Sequence, residues 1–148
     1  MHRAIAVFDI DGTVADARHR LHLIAGQADH EHWVRFFDAA VDDPPLAVGV
    51  ARAKELAATH DIVWLTGRPE RIRGLTETWL ARHGLPDGRL LMLPNGEQKL
   101  ARMFKLDAIR RLAAEHEIAV VVDDDPRVVA LLEREHIPVV QADWSSAH

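Results

Sequence analysis

The sequence predicts an α/β domain built on a parallel sheet, and three observations carry that reading. Short apolar runs recur along the chain, helical patterns separate them, and acidic or hydroxyl residues gather at their ends. The runs are AIAVFDI (4–10), DIVWLT (61–66), RLLML (89–93), IAVVV (118–122) and IPVVQ (137–141). Each has the length of a strand rather than of a helix. A chain of 148 residues suits one domain spanning 1–148, large enough to bury a layered core.

The elements follow in order. The first run closes in FDIDG, with Asp9 and Asp11 one residue apart and Gly12 behind them. Alternation along extended backbone puts both carboxylates on one side, where they are expected to share a site, and the glycine lets the chain turn at once. From Asp16 to Pro45 the alternation breaks. ADARHRLHLIAG and DHEHWVRFFDAAV are amphipathic, and the turn-forming DDPP follows, which predicts a small helical insertion at 16–45. The second run ends in Thr66, Gly67 and Arg68. Ile72, Leu75, Trp79 and Leu80 then recur at helical spacing, with Gly84 as a left-handed stop. After the third run, Leu100, Met103, Phe104, Ile109, Leu112 and Ala113 form one apolar helical face. The fourth run meets three adjacent carboxylates, Asp123, Asp124 and Asp125. Asp125 with Pro126 suits the cap and first turn of RVVALLERE better than it suits a ligand.

Composition removes whole classes of function. Hydrophobic residues at 48% and charged residues at 28% are ordinary globular usage and argue against disorder. The apolar run at the N-terminus stops at acidic residues, too early for a signal or membrane segment, so a soluble, cytoplasmic protein with no membrane partner is expected. The chain has no cysteine, which excludes disulfides, zinc thiolates and thiol nucleophiles. A formal net charge of -5 argues against a broad footprint for duplex nucleic acid and leaves room for a local basic rim.

Ligands of a doubly wound sheet bind outside the carboxyl ends of its strands. Those ends here hold Asp9 and Asp11, then Thr66, Gly67 and Arg68, then Asp123 and Asp124. Oxygen donors without thiols call for a hard divalent cation and point to Mg²⁺, with Asp9, Asp11, Asp123 and Asp124 as its candidate ligands.

DIDGT, LTGR, Lys105 and VDDD also stand in the order and strand context of the four motifs of the haloacid dehalogenase superfamily, which the chain resembles over nearly its whole length. VWLTGRPE, the FK helix and VVDDDPRVV look most like the phosphatase domain of phage-type polynucleotide kinase-phosphatases. The resemblance implies a Rossmann-like three-layer sandwich, with a central five-stranded parallel sheet in the order 3-2-1-4-5 and a small helical cap. It implies a Mg²⁺-dependent phosphomonoesterase acting on nucleotides or on polynucleotide 3′-phosphate ends. Asp9 would be the nucleophile and form an aspartyl-phosphate. Asp11 would be the acid for the leaving alcohol and then the base for water. Thr66, Gly67, Arg68 and Lys105 would bind the phosphoryl group, with Lys105 beside the developing charge. The kinase motif GxxxxGK[ST] of bifunctional relatives is absent, so a separate kinase or repair partner is an open expectation. The alternatives are a phosphatase of another small phosphorylated metabolite and a non-catalytic phosphate-binding module.

Other residues have plainer readings. Arg68, with Arg71 and Arg73 in GRPERIRG, also suits a solvated helix start, and Lys105 alone would be an ordinary helix lysine. His19, His22, His30 and His32 are spaced for a second metal site, yet their mixed faces favour exposure. Trp33, Phe36 and Phe37 could stack bases, although packing of the insertion is the simpler role.

Overall fold

The computed structural model describes residues 3–95 and 101–145. Its sheet holds β1 (Ile5–Phe8), β2 (Asp61–Pro69), β3 (Gly88–Leu93), β4 (Ile118–Asp123) and β5 (Val139–Gln141), in the order β3-β2-β1-β4-β5. All four pairings are parallel. A parallel sheet needs a crossover after each strand, and the helices α1 (His30–Asp38), α2 (Ala47–Ala57), α3 (Arg73–Arg82), α4 (Ala101–Glu115) and α5 (Pro126–Arg134) supply these connections.

Alternation along β1 divides the core. Ala6 and Phe8 face a cluster with Trp64, Trp79 and Leu90, while Ile5 and Val7 face Leu106, Ile109, Val121 and Leu132. The sheet is therefore buried on both faces, as a parallel sheet requires, and its strands read as apolar runs instead of alternating ones. Gly84 closes the turn after α3 at φ +72°, in the expected left-handed conformation. Asp125 caps α5 by accepting the Arg127 N–H at 2.9 Å, with Pro126 in the first turn. No helix among the described residues is long and apolar enough to cross a membrane.

Several details differ from the sequence reading. β1 ends at Phe8, because the Ile10 carbonyl accepts the N–H groups of Thr13, Val14 and Ala15 and draws the chain into a turn. β2 runs on to Pro69, with its pairing to β3 shifted between Thr66 and Pro69. The first amphipathic stretch of the insertion is a 3-10 run, Arg18–Ile24, and the second is α1, followed by a 3-10 turn at Ala39–Asp42. Leu100 lies outside the described residues.

Candidate active site

Two strand tips meet at one point. Asp9 follows β1 directly, its N–H donating to Val122 at 2.9 Å, so its carboxylate emerges beside the end of β4. Asp123 ends β4 and Asp124 follows it. Oxygen atoms of Asp9, Asp123 and Asp124 lie within 4.8 Å of one another. Gly12 makes this approach possible, for it adopts φ +80° and a Cβ there would stand 2.0 Å from Asp124 Oδ2. No residue with a side chain fits between the loop after β1 and the tip of β4.

Lys105 reaches the cluster from α4. Its ammonium donates to Asp9 Oδ1 at 3.0 Å and to Asp123 Oδ2 at 2.9 Å. Thr13 donates to Asp9 Oδ2 at 3.2 Å, and the Asp125 N–H holds the other oxygen of Asp123 at 2.9 Å. Burial pushes the Asp9 carboxyl up to about 8, with Asp124 and Asp11 adding to the rise against the pull of Lys105. Burial and Asp9 push Asp123 up to about 6, and burial also raises Asp124. Lys105 is desolvated too, yet Asp9 and Asp123 outweigh that effect and hold its proton more firmly than usual. Three carboxylates thus face one ammonium in a buried space, an arrangement short of positive charge. The oxygen donors and their spacing fit a divalent cation.

Thr66 sits buried at the tip of β2, where the pairing with β3 shifts, and its hydroxyl oxygen accepts the Arg68 N–H at 3.1 Å. The hydroxyl proton remains for another acceptor. Gly67 packs beside Ala101 at the start of α4, where a Cβ would come within 3.2 Å of the alanine methyl.

The Asp11 carboxylate stands outside the group formed by Asp9, Asp123 and Asp124 and pairs with Arg68. Arg68 reaches Asp11 Oδ1 at 2.7 Å and Asp43 Oδ2 at 3.1 Å, and it also donates to Thr76 at 3.2 Å. A guanidinium buried among carboxylates is held there by charge-assisted bonds and has no reason to turn outward.

The network also holds residues that the sequence reading did not single out. Arg20, fully buried, donates to both oxygens of Asp43 at 2.9 and 2.8 Å and to Asp11 Oδ1 at 2.8 Å. Its guanidinium lies 4.4 Å from the Phe36 ring centre, and His19 reaches Asp43 at 2.6 Å. Burial alone would raise Asp11, but Arg68 and Arg20 outweigh it and hold the carboxyl below its ordinary range. Arg20 and Asp43 come from the insertion, so that segment is wired to Asp11. An arginine in HRLH gave no sign of this, since a buried guanidinium and a solvated one look alike in sequence. His32 completes the cap of α1 with Asp29. Trp33, Phe36 and Phe37 pack on one another at 5.2 to 5.8 Å between ring centres.

With this geometry in place, the chain matches the polynucleotide kinase PNKP phosphatase domain family over residues 3–146. A chain of the Pnkp1/Rnl/Hen1 RNA repair complex superposes with a TM-score of 0.75 at 20% identity, covering 94% of this chain and 42% of that one. A class C acid phosphatase from Bacillus anthracis, with tungstate bound, gives 0.62 at 18% identity over 84% of this chain and 53% of its own. A haloacid dehalogenase-like hydrolase of Streptococcus pneumoniae gives 0.63 at 12% identity over 94% and 84%. At these identities the likeness shows the fold. This chain spans less than half the length of the repair-complex chain. No curated protein matches it in sequence.

Proposed function

The chain belongs to the polynucleotide kinase PNKP phosphatase domain family, and from that premise we propose that it is a Mg²⁺-dependent phosphomonoesterase that removes terminal phosphate from nucleotides or polynucleotide 3′ ends through an aspartyl-phosphate. The observation that carries the reading is the convergence of Asp9, Lys105, Asp123 and Asp124 at two strand tips and one helix.

Asp9 is the nucleophile. Lys105 and Thr13 fix its two oxygens, and this orientation before reaction is what makes a positioned group effective. Asp9, Asp123 and Asp124 would hold Mg²⁺, which supplies charge neutralisation between an anionic nucleophile and an anionic phosphate. The Thr66 hydroxyl and the backbone N–H of Gly67 donate to phosphoryl oxygens, and Lys105 stabilises the charge that grows on them.

Asp11 serves both proton transfers. Its Oδ1 accepts from Arg20 at 2.8 Å and from Arg68 at 2.7 and 3.2 Å, whereas among the described residues Oδ2 has one long contact, 3.3 Å to Arg68. Oδ2 is therefore the oxygen that gives a proton to the leaving alcohol and later takes one from water. The arginine pair favours the ionised form, which suits the base step directly; for the acid step Asp11 first takes a proton from solvent and then passes it to the leaving alcohol. The resting arrangement gives the insertion a positioning role, because Arg20 and Asp43 hold Asp11 in place.

A nucleic-acid end is the substrate that the family favours, and a repair assembly with separate partners is the corresponding setting. Turnover of a 3′-phosphorylated oligonucleotide, a mononucleotide and a sugar phosphate, each with Mg²⁺ or EDTA, tests this. Preference for the oligonucleotide and mononucleotide, abolished by EDTA, is the expected outcome; preference for the sugar phosphate would overturn the substrate assignment.

A further inference from the structure

The insertion and the end of β2 enclose a cavity of about 210 Å³ that the hydrolytic chemistry leaves unused. Trp33, Phe37, Pro69, Arg71, Asn95 and His30 line it. Trp33 and Phe37 lie one helical turn apart on α1, both half-buried, with their rings 5.8 Å apart and inclined by 31°. Asp38 and the Val34 carbonyl hold the Arg71 guanidinium at 2.9 and 3.2 Å, so it forms a fixed wall. The Arg71 N–H donates to Asn95 Oδ1 at 2.9 Å, which orients the Asn95 amide and leaves its nitrogen as a donor without a protein partner among the described residues.

The position of this cavity relative to the reaction gives it meaning. Phosphate is bound at Asp9, and Asp11 marks the side on which the alcohol leaves. Beyond Asp11 stands Arg20, whose guanidinium covers Phe36, and Phe36 packs against both Trp33 and Phe37. From the other direction, Pro69 is three residues past Thr66 on the same strand. Through Pro69 the cavity borders the strand that carries Thr66, and through Phe36 it borders the insertion residues that hold Asp11. The volume is below the roughly 300 Å³ of pockets that hold whole drug-sized ligands, so it suits one planar ring system.

We infer that this cavity is a subsite for the nucleobase of the terminal nucleotide, an assignment that rests on the phosphatase reading above. The rings of Trp33 and Phe37 offer sequence-tolerant stacking, and the Asn95 amide donates to an acceptor on the edge of the base. The same chemistry would take a base from a polynucleotide end or from a free nucleotide.

The test compares wild type with Trp33→Ala on a 3′-phosphorylated oligonucleotide, on the same oligonucleotide with an abasic terminal residue, and on a nucleoside 3′-monophosphate. Trp33→Ala is expected to raise KM about tenfold for the base-bearing oligonucleotide, to leave the abasic one unchanged, and to keep kcat for both, since loss of one stacking platform has effects of this order. A matching rise for the monophosphate shows that the base alone suffices, and a rise confined to the oligonucleotide shows that it is read only at a polynucleotide end; both outcomes support the subsite. Equal KM for base-bearing and abasic substrates in the wild type would overturn it. Asn95→Ala, an exposed substitution that spares the core, should raise KM for base-bearing substrates alone. If the wild type hydrolyses none of the three, the phosphatase reading fails. The cavity is then judged by tryptophan quenching with an unphosphorylated nucleoside, present in wild type and lost in Trp33→Phe if the subsite exists.

Discussion

Lys105 Nζ lies 3.0 Å from Asp9 Oδ1, joining residues 96 positions apart in the chain. The same ammonium reaches Asp123 at 2.9 Å, so one buried cation serves two buried carboxylates. Lys105→Met removes that charge and leaves both carboxylates uncompensated. Activity should fall by about 10²- to 10³-fold, the range seen when one stabilising donor is lost from an active site. Stability should fall by roughly 3–5 kcal/mol, as when a buried ion pair loses one partner. Steady-state rates and urea midpoints check both; a variant within a fewfold of wild-type activity would remove Lys105 from the chemistry.

Asp11→Asn separates proton transfer from nucleophilic attack. The loss should be about 10²- to 10⁴-fold on an alkyl phosphate, whose leaving group needs a proton, and much smaller for the first step on an aryl phosphate with an acidic phenol. Single-turnover rates on the two substrates read this directly. Equal losses would show that Asp11 acts only through structure.

Asp43 binds Arg20 through two oxygens and Arg68 through one, all with buried side chains. Asp43→Ala leaves two guanidinium groups with Asp11 as their one carboxylate among the described residues, and a cost of roughly 3–5 kcal/mol follows. Urea unfolding measures it. The released arginines should also let Asp11 move, so kcat should drop more than KM rises. A variant as stable and active as wild type would show that the insertion is not tied to the acid.

Acid titration of the cluster sets a pH dependence with a definite sign. Burial raises Asp9 from its ordinary 3.8 to about 8 and Asp123 from 3.8 to about 6. A carboxyl raised in the fold binds more protons than in the unfolded chain, so its contribution is full below the unfolded value and is lost as pH rises through the folded one. Metal-free protein should therefore lose stability from these groups between pH 4 and pH 8, about the window those values define. A bound cation competes with those protons, so the rise in Tm caused by Mg²⁺ should be larger at the alkaline end of the window than at the acid end. Calorimetry with and without Mg²⁺ measures the difference. An equal increment at both ends would place the cation elsewhere.

Much of the fold is legible because strands buried on both faces must be apolar along their length, so IAVVV and DIVWLT announce themselves. The strand tips are legible for the complementary reason: Asp9, Thr66, Asp123 and Asp124 are polar residues at the ends of buried runs, where only function or a cap keeps them. Asp125 is distinguished from its neighbours by the proline behind it. α2 was less visible, since its buried positions are Gly49 and Ala53, which leave no apolar stripe. Arg20 and Asp43 were hidden more deeply. Their burial depends on long-range pairing with Arg68 and Asp11, and no local pattern encodes it. The pairing of Arg68 with Asp11 and Asp43 is hidden for the same reason, although Arg68 itself is legible as a strand-end residue.

The most direct measurement is acid-quenched peptide mapping of the protein caught during turnover, with Asp11→Asn used to slow breakdown of the intermediate. A single acid-stable, hydroxylamine-sensitive phosphoryl group on the peptide containing Asp9, absent in Asp9→Asn, is the expected result. Turnover with no covalent phosphate at Asp9, or undiminished turnover by Asp9→Asn, would show that this carboxylate is not the nucleophile.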